Sequence, residues 1–158
     1  MHFFEFAPLK SLPHPNHSNI PMQHDFSHRI DEIAEREGRY LREAYLFIFA
    51  ALDYTVRELN RTHAPESGRH VSGQELAWGI ADFACEQYGP MARAVLAYLG
   101  IHGTIDFGHI VFSLVDAGLM RKTEDDHLED FQNVYDLDAV FDPKRIQSTL
   151  KNVAIEQL

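Results

Sequence analysis

Apolar residues first fall into a helical rhythm between residues 25 and 60. Ile30, Ile33, Tyr40, Leu41, Ala44, Tyr45, Ile48, Leu52, Val56 and Leu59 recur at three- and four-residue steps. Glu35, Arg39, Arg42, Glu43, Asp53 and Arg57 fall mostly on the other face, and Gly38 interrupts the first part. From Tyr45 to Leu52 the apolar positions spread almost all round the axis, which predicts a helix central to the core. Residues 61–70, RTHAPESGRH, read as a polar loop.

The next segment carries the clearest punctuation. Ser72 and Glu75 have the spacing of a capping box, and Val71 can staple to Leu76. The helix they open runs to about Tyr88 and stops at Gly89-Pro90. Glu75, Gly79, Asp82 and Glu86 form one polar stripe on it, while Leu76, Trp78, Ile80, Phe83, Cys85 and Tyr88 cover much of the rest. A short helix follows from Pro90 to about Leu99, capped by Gly100 with Ile101 closing over it. A third helix begins near Thr104 or Asp106 and runs to Ala117, before Gly118. Ile110, Val111, Leu114 and Val115 face inward; Asp106, His109, Ser113 and Asp116 share one stripe predicted to face outward.

Leu119–Thr123 and Phe131–Leu137 read as two strands joined by the acidic segment EDDHLED. Asp142-Pro143 opens a last helix with Ile146, Leu150 and Val153 on one side. The predicted fold is therefore mainly α with a small β-hairpin. A winged-helix-like core of three helices plus wing, residues 69–137, packs on a long N-terminal helix and a C-terminal helix. Residues 25–158 form a single domain. Residues 1–24 are a Pro- and His-rich extension whose Pro8, Pro13, Pro15 and Pro21 resist regular structure, although Phe3, Phe4 and Phe6 can dock on the body.

Composition narrows the function classes. A chain of 158 residues can bury a single core without staples. Its formal net charge of −10 disfavours nucleic acid and anionic membranes. One cysteine, Cys85, excludes an internal disulfide and suits a reducing compartment. No secretory signal or membrane-spanning run is legible, so a soluble, cytoplasmic protein is expected.

The chemistry-bearing patterns are sparse. There is no phosphate-cradling glycine motif, no H-E-x-x-H and no paired cysteine, so no cofactor is implied. Asp106-Phe107-Gly108 spells a kinase tripeptide without the other kinase signatures. Eight carboxylates lie between Glu124 and Asp142 with no Lys or Arg among them: Glu124, Asp125, Asp126, Glu129, Asp130, Asp136, Asp138 and Asp142. Oxygen-rich clusters can hold a cation, and His109, His127, Asp126 and Asp130 are the metal-site candidates; a metal-dependent enzyme is one alternative function. The other is nucleic-acid binding by the winged helix, for which Arg121 and Lys122 supply too little charge. Arg36, Arg39, Arg42 and Arg57 are interleaved with Glu35, Glu37, Glu43 and Glu58, a salt-bridged face rather than a basic strip. The leading expectation is a non-catalytic module that meets a protein partner with a basic surface through Asp106, His109, Asp116, Glu124, Asp125, Asp126, Glu129 and Asp130. Apolar faces on the first and last helices are compatible with homo-oligomer formation.

RHVSGQELAWGIADFACEQYGPMARAVLAYLGI, DFGHIVFSLVDAGLM, KTEDD, EDF and VYD together resemble a family of small uncharacterised proteins described chiefly from planctomycetes, verrucomicrobia and related bacteria. The resemblance covers residues 29–142. It implies no activity, ligand or functional residue, because none is established for that family.

Overall fold

The computed structural model describes residues 4–5, 20–62 and 70–156. Residues 63–69, within the stretch expected to be a polar loop, and most of the Pro- and His-rich extension lie outside the described residues. The molecule is mainly helical. Its elements are β1 (Phe4–Glu5), α1 (Ile20–Glu37), α2 (Arg42–Thr62), β2 (His70–Val71), α3 (Gly73–Tyr88), α4 (Ala92–Tyr98), α5 (Thr104–Asp116), β3 (Arg121–Lys122), α6 (Leu137–Val140) and α7 (Pro143–Glu156).

The interruption expected at Gly38 divides the first helical stretch in two. The Gly38 N–H closes on the Ala34 carbonyl at 3.0 Å, and the chain turns back on itself before Arg42. The Arg42 guanidinium clasps α1 across that corner, bonding Asp31 and the Ser27 hydroxyl. The stretch from Tyr45 to Leu52 is the centre of the core, with Tyr45, Ile48, Ala51 and Leu52 all fully buried. Helix α2 packs most extensively on α3. Gly79 makes that approach close: a Cβ there would sit 1.9 Å from Thr55 Oγ1.

Helix α3 starts as its sequence dictates. The Ser72 hydroxyl accepts the Glu75 N–H at 3.1 Å, and the Glu75 carboxylate accepts the Ser72 N–H at 2.9 Å. A single 3-10 turn, Gly89–Met91, replaces the expected first turn of the next helix. At Gly100 the backbone is left-handed, with φ 93°, and the Arg39 carbonyl lies 2.9 Å from where a Cβ would be. Glycine meets both demands at once. The Ile101 N–H then returns to the Leu96 carbonyl, closing the helix end.

The predicted hairpin is corrected. Of Leu119–Thr123 only Arg121–Lys122 is strand, and Phe131–Leu137 forms no strand at all. Residues Leu128–Phe131 make a 3-10 turn instead, closed by the Asp130 carboxylate accepting the His127 N–H at 2.9 Å. Thr104 completes the arrangement. Its hydroxyl donates to the Phe131 carbonyl at 2.6 Å and accepts the Val134 N–H at 3.1 Å. The backbone groups that a ladder would have paired are thus met by side chains. Fully buried Phe131 seats against Gly108 of α5. The strand that pairs with β3 comes from the other end of the chain. β1 lies between β2 and β3, antiparallel to both, with Phe4 opposite Val71 and Lys122. In α7 Ile146 is buried as expected, while the side chains of Leu150 and Val153 lie outside the described residues.

Candidate functional site

The stripe on α5 predicted to face outward does not do so as a whole. Asp106 is 5% exposed and Ser113 8%; His109 is half-buried, and only Asp116 is exposed. The corner between α1 and α2 covers this side of the helix. The Tyr40 hydroxyl donates to Asp106 Oδ1 at 2.5 Å, and Arg39 reaches the same oxygen at 3.3 Å. The other oxygen accepts the N–H groups of His102 at 2.8 Å and Gly103 at 3.1 Å. Asp106 therefore ties the start of α5 to the α1–α2 corner and has no capacity left for a ligand. Burial first, and then the Asp106 hydrogen bond, pushes the Tyr40 phenol far above its usual range. Two turns further on, Ser113 donates to Glu37 at 2.8 Å, and Tyr45 donates to the same carboxylate oxygen at 2.9 Å.

The acidic segment after β3 also divides by burial. Glu124, Asp125 and Glu129 are exposed and Asp130 is half-buried. Asp126, expected on the surface, is only 1% exposed. One of its oxygens accepts the Thr123 N–H at 2.7 Å and the Thr123 hydroxyl at 3.1 Å, which folds the turn over it. Asp130 serves the 3-10 turn described above. Exposed Asp116, Glu124, Asp125 and Glu129 form no ion pair among the described residues. No three His, Cys, Asp or Glu side chains come together as a metal-holding group among the described residues, so His109, His127, Asp126 and Asp130 do not converge on one ion. Among the same residues no helix is long and apolar enough to cross a membrane.

A feature not singled out from the sequence lies between α2 and α3. An open cleft of about 530 Å³ is lined by Tyr54, Glu58, Leu59, Trp78, Gly79 and Asp82, among others. Trp78, expected in the core, is 50% exposed. Its ring rests on Tyr135, with centroids 4.6 Å apart, and the Tyr135 hydroxyl is anchored to the Ala77 carbonyl at 2.7 Å. Burial and the neighbouring Glu58 raise the carboxyl of Asp82 above its ordinary value. Burial, with Glu86, Glu58 and Asp82 nearby, raises the Tyr54 phenol. The available signal was the polar stripe Glu75, Gly79, Asp82 and Glu86: a glycine inside a charged helical stripe marks a close approach with carboxylates on its rim. Cys85 on the same helix is half-buried, and burial raises its thiol, so it resembles a packed side chain more than a nucleophile.

A second, more polar cleft of about 420 Å³ lies beside the start of α5, between His102 and Asn133. The two N–H groups that an anion would seek there, at His102 and Gly103, are already taken by Asp106.

No protein-family model matches the chain, and no curated protein or solved structure is significantly similar to it, so the resemblance noted above rests on the wording of the sequence alone.

Proposed function

We propose that this protein is a non-catalytic interaction module, winged-helix-like in its core, that meets a protein partner with a basic surface. The observation that carries this reading is that Asp116, Glu124, Asp125 and Glu129 are exposed carboxylates with no ion pair among the described residues. Of the buried carboxylates, Asp106 is spent on the chain's own donors, and Asp126 commits one oxygen to Thr123 while the other is buried without a hydrogen-bond partner among the described residues. That division favours recognition over acid–base chemistry. Three helices leading into β3, with β2 just before them, support the winged-helix comparison; β1 stands where that fold's returning strand would be. The same carboxylates would repel a phosphate backbone.

The test is capture of partners by the immobilised protein, with Glu124, Asp125 and Glu129 intact or changed together to Gln, Asn and Gln. A partner held through this surface is lost from the neutral variant, and its capture weakens as salt rises. Capture that is unchanged by the substitutions rejects these carboxylates as the contact.

A further inference from the structure

We infer that the outer face of α4 is a self-association surface. A second copy of this chain docks on it across a twofold axis, with Met91 of each copy against Tyr98 of the other. The inference concerns a different surface from the carboxylates after β3 and stands whether or not those bind a partner.

Four large apolar side chains are exposed among the described residues: Leu41, Trp78, Met91 and Tyr98. Three of them gather at α4. Met91 is 62% exposed and Tyr98 76%, and the Leu41 N–H bonds the Leu99 carbonyl, which holds Leu41 beside the end of the helix. Met91, Ala94, Val95 and Tyr98 follow one another at steps of three, one and three, so they share one side of the helix. Ala92, Leu96 and Leu99 are buried on the other side. Apolar residues exposed singly are ordinary, whereas a contiguous set marks a contact.

Charge selects the occupant. The chain carries a formal net charge of −10, so two copies repel each other wherever their carboxylates approach. Between Gln87 and Ile105 the sequence holds a single Lys, Arg, Asp or Glu, Arg93. It lies on a different side of α4 and is paired to Asp138 at 2.6 Å. This face is thus where two like-charged copies can meet without opposed carboxylates, and it offers a basic partner nothing to pair with.

The spacing is self-complementary. Met91 and Tyr98 lie two turns apart, about 10 Å along the axis, with the smaller Ala94 and Val95 between them. Packing two such helices antiparallel about a twofold axis sets Ala94 near Ala94, where the backbones can approach. It also lays each thioether on the other copy's phenol ring, so that one favourable contact occurs twice. One short helix buries less than the roughly 800 Å² per partner of a standard interface, so the dimer is expected to be weak.

Sedimentation equilibrium of the full chain, from about 10 μM to about 1 mM, should show the average mass rising from one chain toward two. In the Met91→Lys, Tyr98→Lys double variant dissociation should be at least about tenfold easier, with helical circular dichroism unchanged. Each added lysine lowers the net negative charge, so greater repulsion between whole chains would not account for that loss. Cysteine pairing gives a second reading. With Cys85→Ser in both, a mixture of the Met91→Cys and Tyr98→Cys variants should cross-link faster under copper-catalysed air oxidation than either variant alone. A chain that stays monomeric throughout, a dimer that survives the double lysine variant, or cross-linking no faster in the mixture than in the single variants overturns the proposal.

Discussion

Asp106 shows how much can depend on one carboxylate. It satisfies two backbone N–H groups at the head of α5, a tyrosine hydroxyl and a guanidinium. Asp106→Ala leaves the hydroxyl and both N–H groups without their partner, and a loss of about 3 kcal/mol is expected in urea unfolding. Gly79 is constrained by space instead. Gly79→Ala drives a methyl into Thr55, and a cost of about 3 kcal/mol is expected. Adding Thr55→Ala removes the two nearest atoms, so the double variant should be more stable than Gly79→Ala alone; a purely additive result would deny the contact. Asp82 acts in the opposite direction. Its folded carboxyl is raised, so the folded state holds a proton that the unfolded chain has released. Stability from this group is therefore present at acid pH and falls as pH rises through the raised value. Asp82→Asn should remove that fall. The expected gain at pH 7, seen in the urea midpoint, is below about 1 kcal/mol because the side chain is largely in water, and it should shrink below pH 4.

Elements whose ends are written in neighbouring residues were legible. Ser72 and Glu75 lie within one turn of each other, and their reciprocal bonds are as the spacing predicts. Gly38, Gly89-Pro90 and Gly100-Ile101 likewise punctuate where they stand. The segment after β3 was not legible, because its conformation is decided by a residue far away in sequence. Thr104 takes the backbone groups of Phe131 and Val134, and Gly108 receives the Phe131 ring. A short run with Phe131, Val134, Tyr135 and Leu137 resembles a strand whether or not a ladder partner exists. The same limit applied to the α5 stripe. Its spacing placed Asp106 and Ser113 on one side, but the corner that buries them lies near residues 37–40. Thr104→Val keeps the shape and deletes both bonds. A loss of about 2 kcal/mol is expected, together with faster hydrogen exchange at the Val134 amide while the α3 amides stay protected.

Across the whole molecule, charge decides the broad class of partner. A formal net charge of −10, with exposed carboxylates on Asp116, Glu124, Asp125 and Glu129, opposes polyanions. Titration with duplex DNA at low salt should give no binding; a complex that weakens steeply with added salt would overturn this. The candidate cleft was less legible than the charge. Its carboxylates stood out as a stripe on α3, but Tyr54, Glu58 and Leu59 come from α2, and no local pattern shows which faces of two helices leave a gap between them.

The ribbon β2-β1-β3 imposes an order on synthesis. The residues that form its middle, Phe4 and Glu5, are made before either mate, the first when Val71 emerges and the second when Lys122 does. Phe4 and Glu5 therefore stay without their second strand partner until residues 121–122 have been made. A nascent chain halted before residue 121 lacks the antiparallel seam between Phe4–Glu5 and Arg121–Lys122.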